Sequence, residues 1–291
     1  IITAPITTYP IMWSNIIKDF DNTNIEDVPK DYKSAFWRIK KQMRNAFKKQ
    51  PQQFLRLSAA SSTQVLRSFG DDSREKAEIS ARRYDMTDVW AWNIEMTYVL
   101  DPYDDDNIRL DGSYLATIWG NWNFSAGYVE RWWGPSWDST NLLSNNARPP
   151  PTLMLQRNYS ESFDYDWLKW IGPWTLNAFV GKLDDDRQIS NANIIGMSVT
   201  FKPLKSLEIG LRRSALWGGK GRPTDISSFF NLLIGRDNCD SNGMSCSNNN
   251  TEPGNQLGGI DARWVLPIET PTNFYFTMVG EDEAGYMPAK S

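Results

Sequence analysis

Val89-Trp90-Ala91-Trp92-Asn93-Ile94-Glu95-Met96-Thr97-Tyr98-Val99-Leu100 alternates with a period of two. Trp90, Trp92, Ile94, Met96, Tyr98 and Leu100 share one face; Ala91, Asn93, Glu95 and Thr97 share the other. That period belongs to a β-strand, whose successive side chains point to opposite faces. In a soluble sheet the apolar face would be core. In a transmembrane barrel it would face lipid, with rings near the strand ends and polar groups in the lumen.

The pattern recurs along the chain. Trp122, Phe124, Ala126 and Tyr128 form one such face, and Ile195, Met197, Val199 and Phe201 another. Leu207, Ile209 and Leu211 repeat it, as do Ile260, Ala262, Trp264 and Leu266, then Phe274, Phe276 and Met278. The opposite faces combine small polar residues with Glu and Arg. Candidate strands run to about 9–12 residues, the length a tilted membrane strand needs. Connections alternate between short, as at Lys202-Pro203-Leu204-Lys205, and long, as over 218–256, which is the habit of outer-membrane barrels. The expected fold is therefore mainly β: an antiparallel transmembrane β-barrel with strands over 58–291. A soluble β-sandwich is the alternative.

Composition narrows the chemistry. The 291 residues contain no histidine and two cysteines. This excludes Ser-His-Asp and Cys-His nucleophile systems and a four-thiolate zinc site. No metal and no cofactor are expected. A net charge of -4 gives no reason to expect nucleic acid as a partner. No run of about 18 apolar residues offers a transmembrane helix. Fourteen Trp, 11 Tyr and 13 Phe fit either a core or the aromatic girdles of a barrel.

The start of the chain differs. Met12, Ile16, Ile17 and Phe20 lie at helical spacing, and Tyr32, Phe36, Ile39, Met43 and Phe47 repeat the stripe. Pro29 suits the first turn of the second helix and Pro51 suits its stop. Arg38, Lys40, Lys41, Arg44, Lys48 and Lys49 lie between the apolar positions. They read as a solvated face, or as the basic side of a helical plug over residues 1–57. The start at Ile1 and the abrupt end after Glu281-Asp282-Glu283 suggest a fragment, and so an incomplete barrel of ten to twelve strands.

The loop over 237–256 is rich in Asn, Ser, Gly and Asp, and holds Cys239 and Cys246. In an oxidising compartment these would form a local disulfide; two free thiols are the alternative. Asp240-Ser241-Asn242 lacks the Glu of an EF-hand loop. Asn123-Phe124-Ser125 and Asn158-Tyr159-Ser160 match the glycosylation pattern only by coincidence.

The densest signal is Glu130-Arg131-Trp132-Trp133-Gly134-Pro135-Ser136-Trp137-Asp138, continuing to Ser144-Asn145-Asn146-Ala147-Arg148-Pro149. Together with Pro5-Ile6-Thr7-Thr8-Tyr9-Pro10-Ile11-Met12-Trp13 ahead of the helices, these segments resemble the Wzi family of capsule assembly proteins. The resemblance covers most of the chain and is weakest over 218–256. It implies an outer-membrane β-barrel with a helical bundle at its periplasmic end. It also implies a lectin-like role, holding capsular or exopolysaccharide at the bacterial surface. Family members extend beyond this chain at both ends.

Sugar recognition uses rings that stack on C–H faces and charged or amide groups that bond hydroxyls; acidic sugars add a demand for guanidinium forks. Arg131, Trp132, Trp133, Trp137, Asp138, Asn145, Asn146 and Arg148 supply these groups within one segment, and Arg212 and Arg263 could line the same lumen. The alternative is structural: Trp residues packing a girdle or plug, and Arg residues paired with Glu130, Glu208 and Glu281. No residue is expected to be catalytic. A glycoside hydrolase could nominate Glu130 with Asp138, or the Asp104-Asp105-Asp106 and Asp184-Asp185-Asp186 runs, but those triplets read as solvated turns. A sugar-selective porin would need an open lumen. The expected partners are polysaccharide and outer-membrane lipid, with the protein a monomer.

Overall fold

The Val89–Leu100 alternation becomes one strand of a large antiparallel sheet. The computed structural model describes residues 2–233 and 254–288, apart from positions 49, 72, 269, 271, 282, 285 and 286. The elements in chain order begin with β1 (Thr8–Tyr9), α1 (Trp13–Asn22), α2 (Lys33–Ala46), β2 (Gln52–Ala59), β3 (Ala77–Met86) and β4 (Trp90–Leu100). They continue with β5 (Ile108–Arg109), β6 (Tyr114–Trp119), β7 (Trp122–Gly127), β8 (Trp132–Trp133), β9 (Thr152–Arg157) and β10 (Trp174–Lys182). The last are β11 (Asn193–Leu204), β12 (Leu207–Trp217), α3 (Ile226–Leu233), β13 (Gln256–Leu266) and β14 (Thr272–Glu281).

Twelve strands form the sheet, in the order β14-β13-β12-β11-β10-β9-β7-β6-β4-β3-β2, with β5 beside β4. Neighbours in this order pair antiparallel, and the sheet is not closed between β2 and β14. Its polarity is inverted relative to a water-soluble sandwich. Ile94 is 61% exposed while its neighbour Asn93 is 2% exposed. The outward face also carries Leu115, Leu153, Phe276 and Met278, all exposed; the inward face carries buried Ser80, Asn123, Asn177, Ser198 and Thr200. In water each exposed aliphatic side chain would forgo about 1.5–3 kcal/mol of burial. An apolar surroundings on the outside reverses that sign. No helix among the described residues is long and apolar enough to cross a membrane.

Helices α1 and α2 sit at one end of the sheet, and α3 lies in the 218–255 connection at the other. Phe20 stacks on Phe36 at 5.1 Å, and Val28 and Met43 complete a small core with Ile16, Ile17 and Ile39. The Ser14 hydroxyl donates to Asn158 Oδ1 at 2.7 Å, just past the end of β9. At this end 87–89, 120–121, 205–206 and 267–271 are short links, and 158–173 is the longer exception. The opposite end carries the connections 60–76, 101–113, 128–151, 183–192 and 218–255.

Several boundaries differ from the sequence reading. The sheet begins with β2 at Gln52, ahead of the period change read near Ser58. Pro51 does not stop the helix: α2 ends at Ala46, capped by Phe47. Pro29 precedes a 3-10 turn, Lys30–Tyr32, that leads into α2. Tyr32 and Phe47 are exposed, outside the apolar stripe. Arg38, Lys41, Arg44 and Lys48 are exposed too, as a solvated face requires. Strands β6, β7 and β9 are six residues each, shorter than expected. Cys239 and Cys246 lie outside the described residues.

Candidate functional site

The long connections at the end away from the helices lock together, and the 128–151 connection is their centre. It leaves β7, turns inward, and pairs β8 with β1: Trp133 opposes Thr8 and Trp132 opposes Tyr9. A segment from the helical end thus meets a loop from the far end on the inner side of the sheet. Gly134 N–H donates to Thr7 O at 3.1 Å, and Trp133 N–H donates to Leu143 O at 3.0 Å. A Cβ on Gly134 would come within 2.6 Å of Thr140 Oγ1, so the turn needs glycine here.

The rings of the segment divide by burial. Trp133 is 1% exposed and packs edge-on against Phe179 at 5.5 Å, over Met154. Trp132 is buried against Phe69, and its indole N–H donates to Ser136 O at 2.8 Å. Both rings are used up in packing and present no face to a sugar. Trp137 is 43% exposed and leans on Phe69 at 5.1 Å and Tyr9 at 6.2 Å. Asp138 beside it is exposed, and so is Asn146.

Arg131 is buried in a way that spacing did not reveal. Its guanidinium lies 4.1 Å from the Phe179 ring and donates to Thr152 Oγ1 at 2.6 Å and Val129 O at 2.9 Å. Burial pushes it down to about 10. Glu130, one of the acids expected to pair with the arginines of the site, lies 3.5 Å from Arg67. Arg67 donates its backbone N–H to Asn146 Oδ1 at 2.8 Å and its guanidinium to Asn145 O at 3.2 Å. Arg74 reaches the same turn, donating to Asn145 O at 2.9 Å and to Asn146 O. The buried Asn145 is therefore held mainly through its carbonyl.

Arg148 is a clamp between loops. It donates to Asp111 Oδ2 at 3.1 Å, Asp104 Oδ2 at 3.1 Å and Asp106 Oδ2 at 2.8 Å. Burial works against its charge, but the hydrogen bonds to Asp111, Asp106 and Asp104 hold its pKa above the ordinary value. Burial alone would raise Asp104; hydrogen bonds from Arg109 and Arg148 hold it below the usual carboxylate range. Arg109 is itself paired with buried Glu75 at 2.8 Å. The Asp104–Asp106 run, read as a solvated turn, is thus partly a structural acid cluster. Arg67, Phe69 and Arg74 were missed because they lie far from Trp137 in sequence and carry no local pattern.

The two lumen arginines part company. Arg212 pairs with Asp261, its Nη2 to Oδ1 at 3.1 Å, and donates to Thr8 Oγ1 at 2.8 Å and Thr7 O at 3.0 Å. It therefore holds β1 in place. Glu208 does not pair with a nominated arginine; it accepts the N–H groups of Ile6 at 2.8 Å and Thr7 at 2.7 Å. Arg263, half-buried on the same face, donates to Asn273 Oδ1 at 3.4 Å.

The fold has a counterpart among solved structures. A solved structure with a TM-score of 0.82 and 24% identity covers 99% of this chain and 60% of its own. That protein is Wzi of Escherichia coli, described as a carbohydrate-binding β-barrel of the outer membrane involved in group 1 capsule assembly. An uncharacterized 55.8 kDa protein of the cps region of Klebsiella pneumoniae is 37% identical over 182 residues, which is 62% of this chain and 34% of that protein. The chain thus spans less than two thirds of the length of either of these proteins. The family profile of the capsule assembly protein Wzi matches residues 46–291. Matched over that range, the chain belongs to the Wzi family of capsule assembly proteins.

Proposed function

We propose that the protein is an outer-membrane β-barrel that holds capsular or exopolysaccharide at the cell surface without chemically changing it. One observation carries the reading: the sheet is apolar on its outward face and polar on its inward face, as at Ile94 and Asn93. Lipid on the outside satisfies the first and a filled polar lumen the second. The end carrying the long loops is then the external one, and α1 and α2 face the periplasm. Trp137 offers a ring on a rigid aromatic base, with Asp138 and Asn146 nearby in sequence as exposed polar groups. The Arg67, Arg74 and Arg148 contacts keep that shelf in one shape, so little ordering is required on binding. The protein acts as a monomer in this reading.

A sugar-selective porin is less well supported, because β1, β8 and Arg212 occupy the inner side of the sheet. The test is detergent partition and heat-modifiability, followed by capture of purified surface polysaccharide. An integral protein whose capture weakens about tenfold in Trp137→Ala, ~1.4 kcal/mol, supports the reading. A protein soluble without detergent, or capture indifferent to Trp137→Ala, overturns it.

A further inference from the structure

A hollow lies at the opposite end of the lumen, beside α1 and α2. Its volume is about 430 Å³, within the range of small-molecule sites. The inner wall of β2, β3, β4 and β6 forms one side, and Trp13 of α1 and Gln42 of α2 close the other. Phe54 and Tyr84 stack across the wall, their ring centroids 5.9 Å apart and their planes within 5° of parallel. Phe54 is exposed, which leaves ring surface toward the hollow.

The charge of Arg82 is poorly satisfied here. Arg82 donates Nε to Asn93 Oδ1 at 2.8 Å, and its terminal nitrogens donate to no protein group among the described residues. Its guanidinium lies 5.0 Å from the Tyr84 ring. Arg82 lies 3.8 Å from the Glu95 carboxylate, beyond hydrogen-bond length, and Arg56 approaches the same carboxylate at 3.9 Å. Asp85 also borders the hollow, but it sits opposite Trp92, in the outward register, and its Oδ1 accepts the Met86 N–H at 2.9 Å. Arg82 thus faces the hollow beside ring surface.

We propose that this hollow is a second saccharide site, which takes a carboxylate-bearing sugar of an acidic oligosaccharide on Arg82 while Phe54 covers the ring's C–H face. A guanidinium with free terminal N–H groups matches a carboxylate bidentately, and an ammonium would not. The assignment rests on the reading that the protein binds saccharide, but on residues at the other end of the molecule from Trp137.

The test is calorimetric titration of the full chain in detergent with a trisaccharide of galacturonic acid, using maltotriose as the neutral probe. Saturable binding of the acidic probe is expected, at least tenfold weaker in Arg82→Gln and only partly restored in Arg82→Lys. Phe54→Ala gives a second, charge-neutral check, and heat-modifiability confirms that each variant is folded. The proposal is overturned if the acidic probe does not bind, if maltotriose binds equally well, or if neither Arg82→Gln nor Phe54→Ala weakens binding. Should surface polysaccharide capture fail while the trisaccharide still binds through Arg82, the surface reading falls and this one stands. Capture through Trp137 with no acidic trisaccharide bound gives the converse.

Discussion

Arg212 and Arg82 both point from the barrel wall to the inside, yet their surroundings are opposite. The Arg212 side chain is 2% exposed and saturated by Asp261, Thr7, Thr8 and Ser198. The Arg82 side chain is 43% exposed and makes one short hydrogen bond. A saturated buried guanidinium is architecture, since removing it strands its partners. A half-exposed one with unused donors is open to a ligand. Residue type and strand position cannot separate the two; the partner inventory does.

The sharpest way to break this contrast is Arg212→Ala. It leaves Asp261 buried without its counter-charge and frees the Thr7 carbonyl, so a loss of about 3–5 kcal/mol is expected. Denaturant unfolding in detergent reads it, and a loss below about 1 kcal/mol would mean that β1 is held by other contacts. Gly134→Ala comes next. Its Cβ clash with Thr140 is expected to cost ~1–3 kcal/mol and to loosen the β1–β8 pairing, visible as lost protection in hydrogen exchange of the residue-134 amide that donates to Thr7 O.

A smaller effect concerns the loop clamp. The pKa of Asp104 is depressed in the fold by Arg109 and Arg148 against an opposing burial effect. Its stabilising contribution is therefore present above its ordinary value of 3.8 and disappears as pH falls below that through the lower folded value. Proteolysis of the 101–113 loop should accelerate below about pH 4 in wild type and be fast already at neutral pH in Arg148→Gln. Equal rates at both pH values would remove Asp104 from the clamp. The smallest effect is expected for Arg82→Gln on unfolding, within about 0.5 kcal/mol. A larger loss would make Arg82 architectural, like Arg212.

The strands were legible where both faces repeat over many residues, as at Trp90–Leu100. The period reports the two surroundings directly. Strands β6, β7 and β9 are shorter than expected because the neighbouring loops turn inward. The exposure of Trp137 against the burial of Trp132 and Trp133 was illegible. Adjacent tryptophans look alike in sequence, and what buries two of them is Phe69, Phe179 and β1, all far along the chain. The same distance hid the acids around Arg148, which come from another loop. Asn145 and Asn146 stand out in the sequence as sugar-binding candidates, yet Arg67 and Arg74 hold them largely through their backbone carbonyls, which no residue type announces.

The pairing of β1 with β8 also sets an order of assembly. Neighbouring wall strands can zip up through short links, each contact close in sequence. Thr8 and Trp133 are separated by α1, α2 and six strands of the chain, so closing that loop carries a large entropy cost before any contact rewards it. The first strand of the chain is thus among the last to find its partner. The interior is filled after the wall exists, and until then the polar inner face is open to water from both ends.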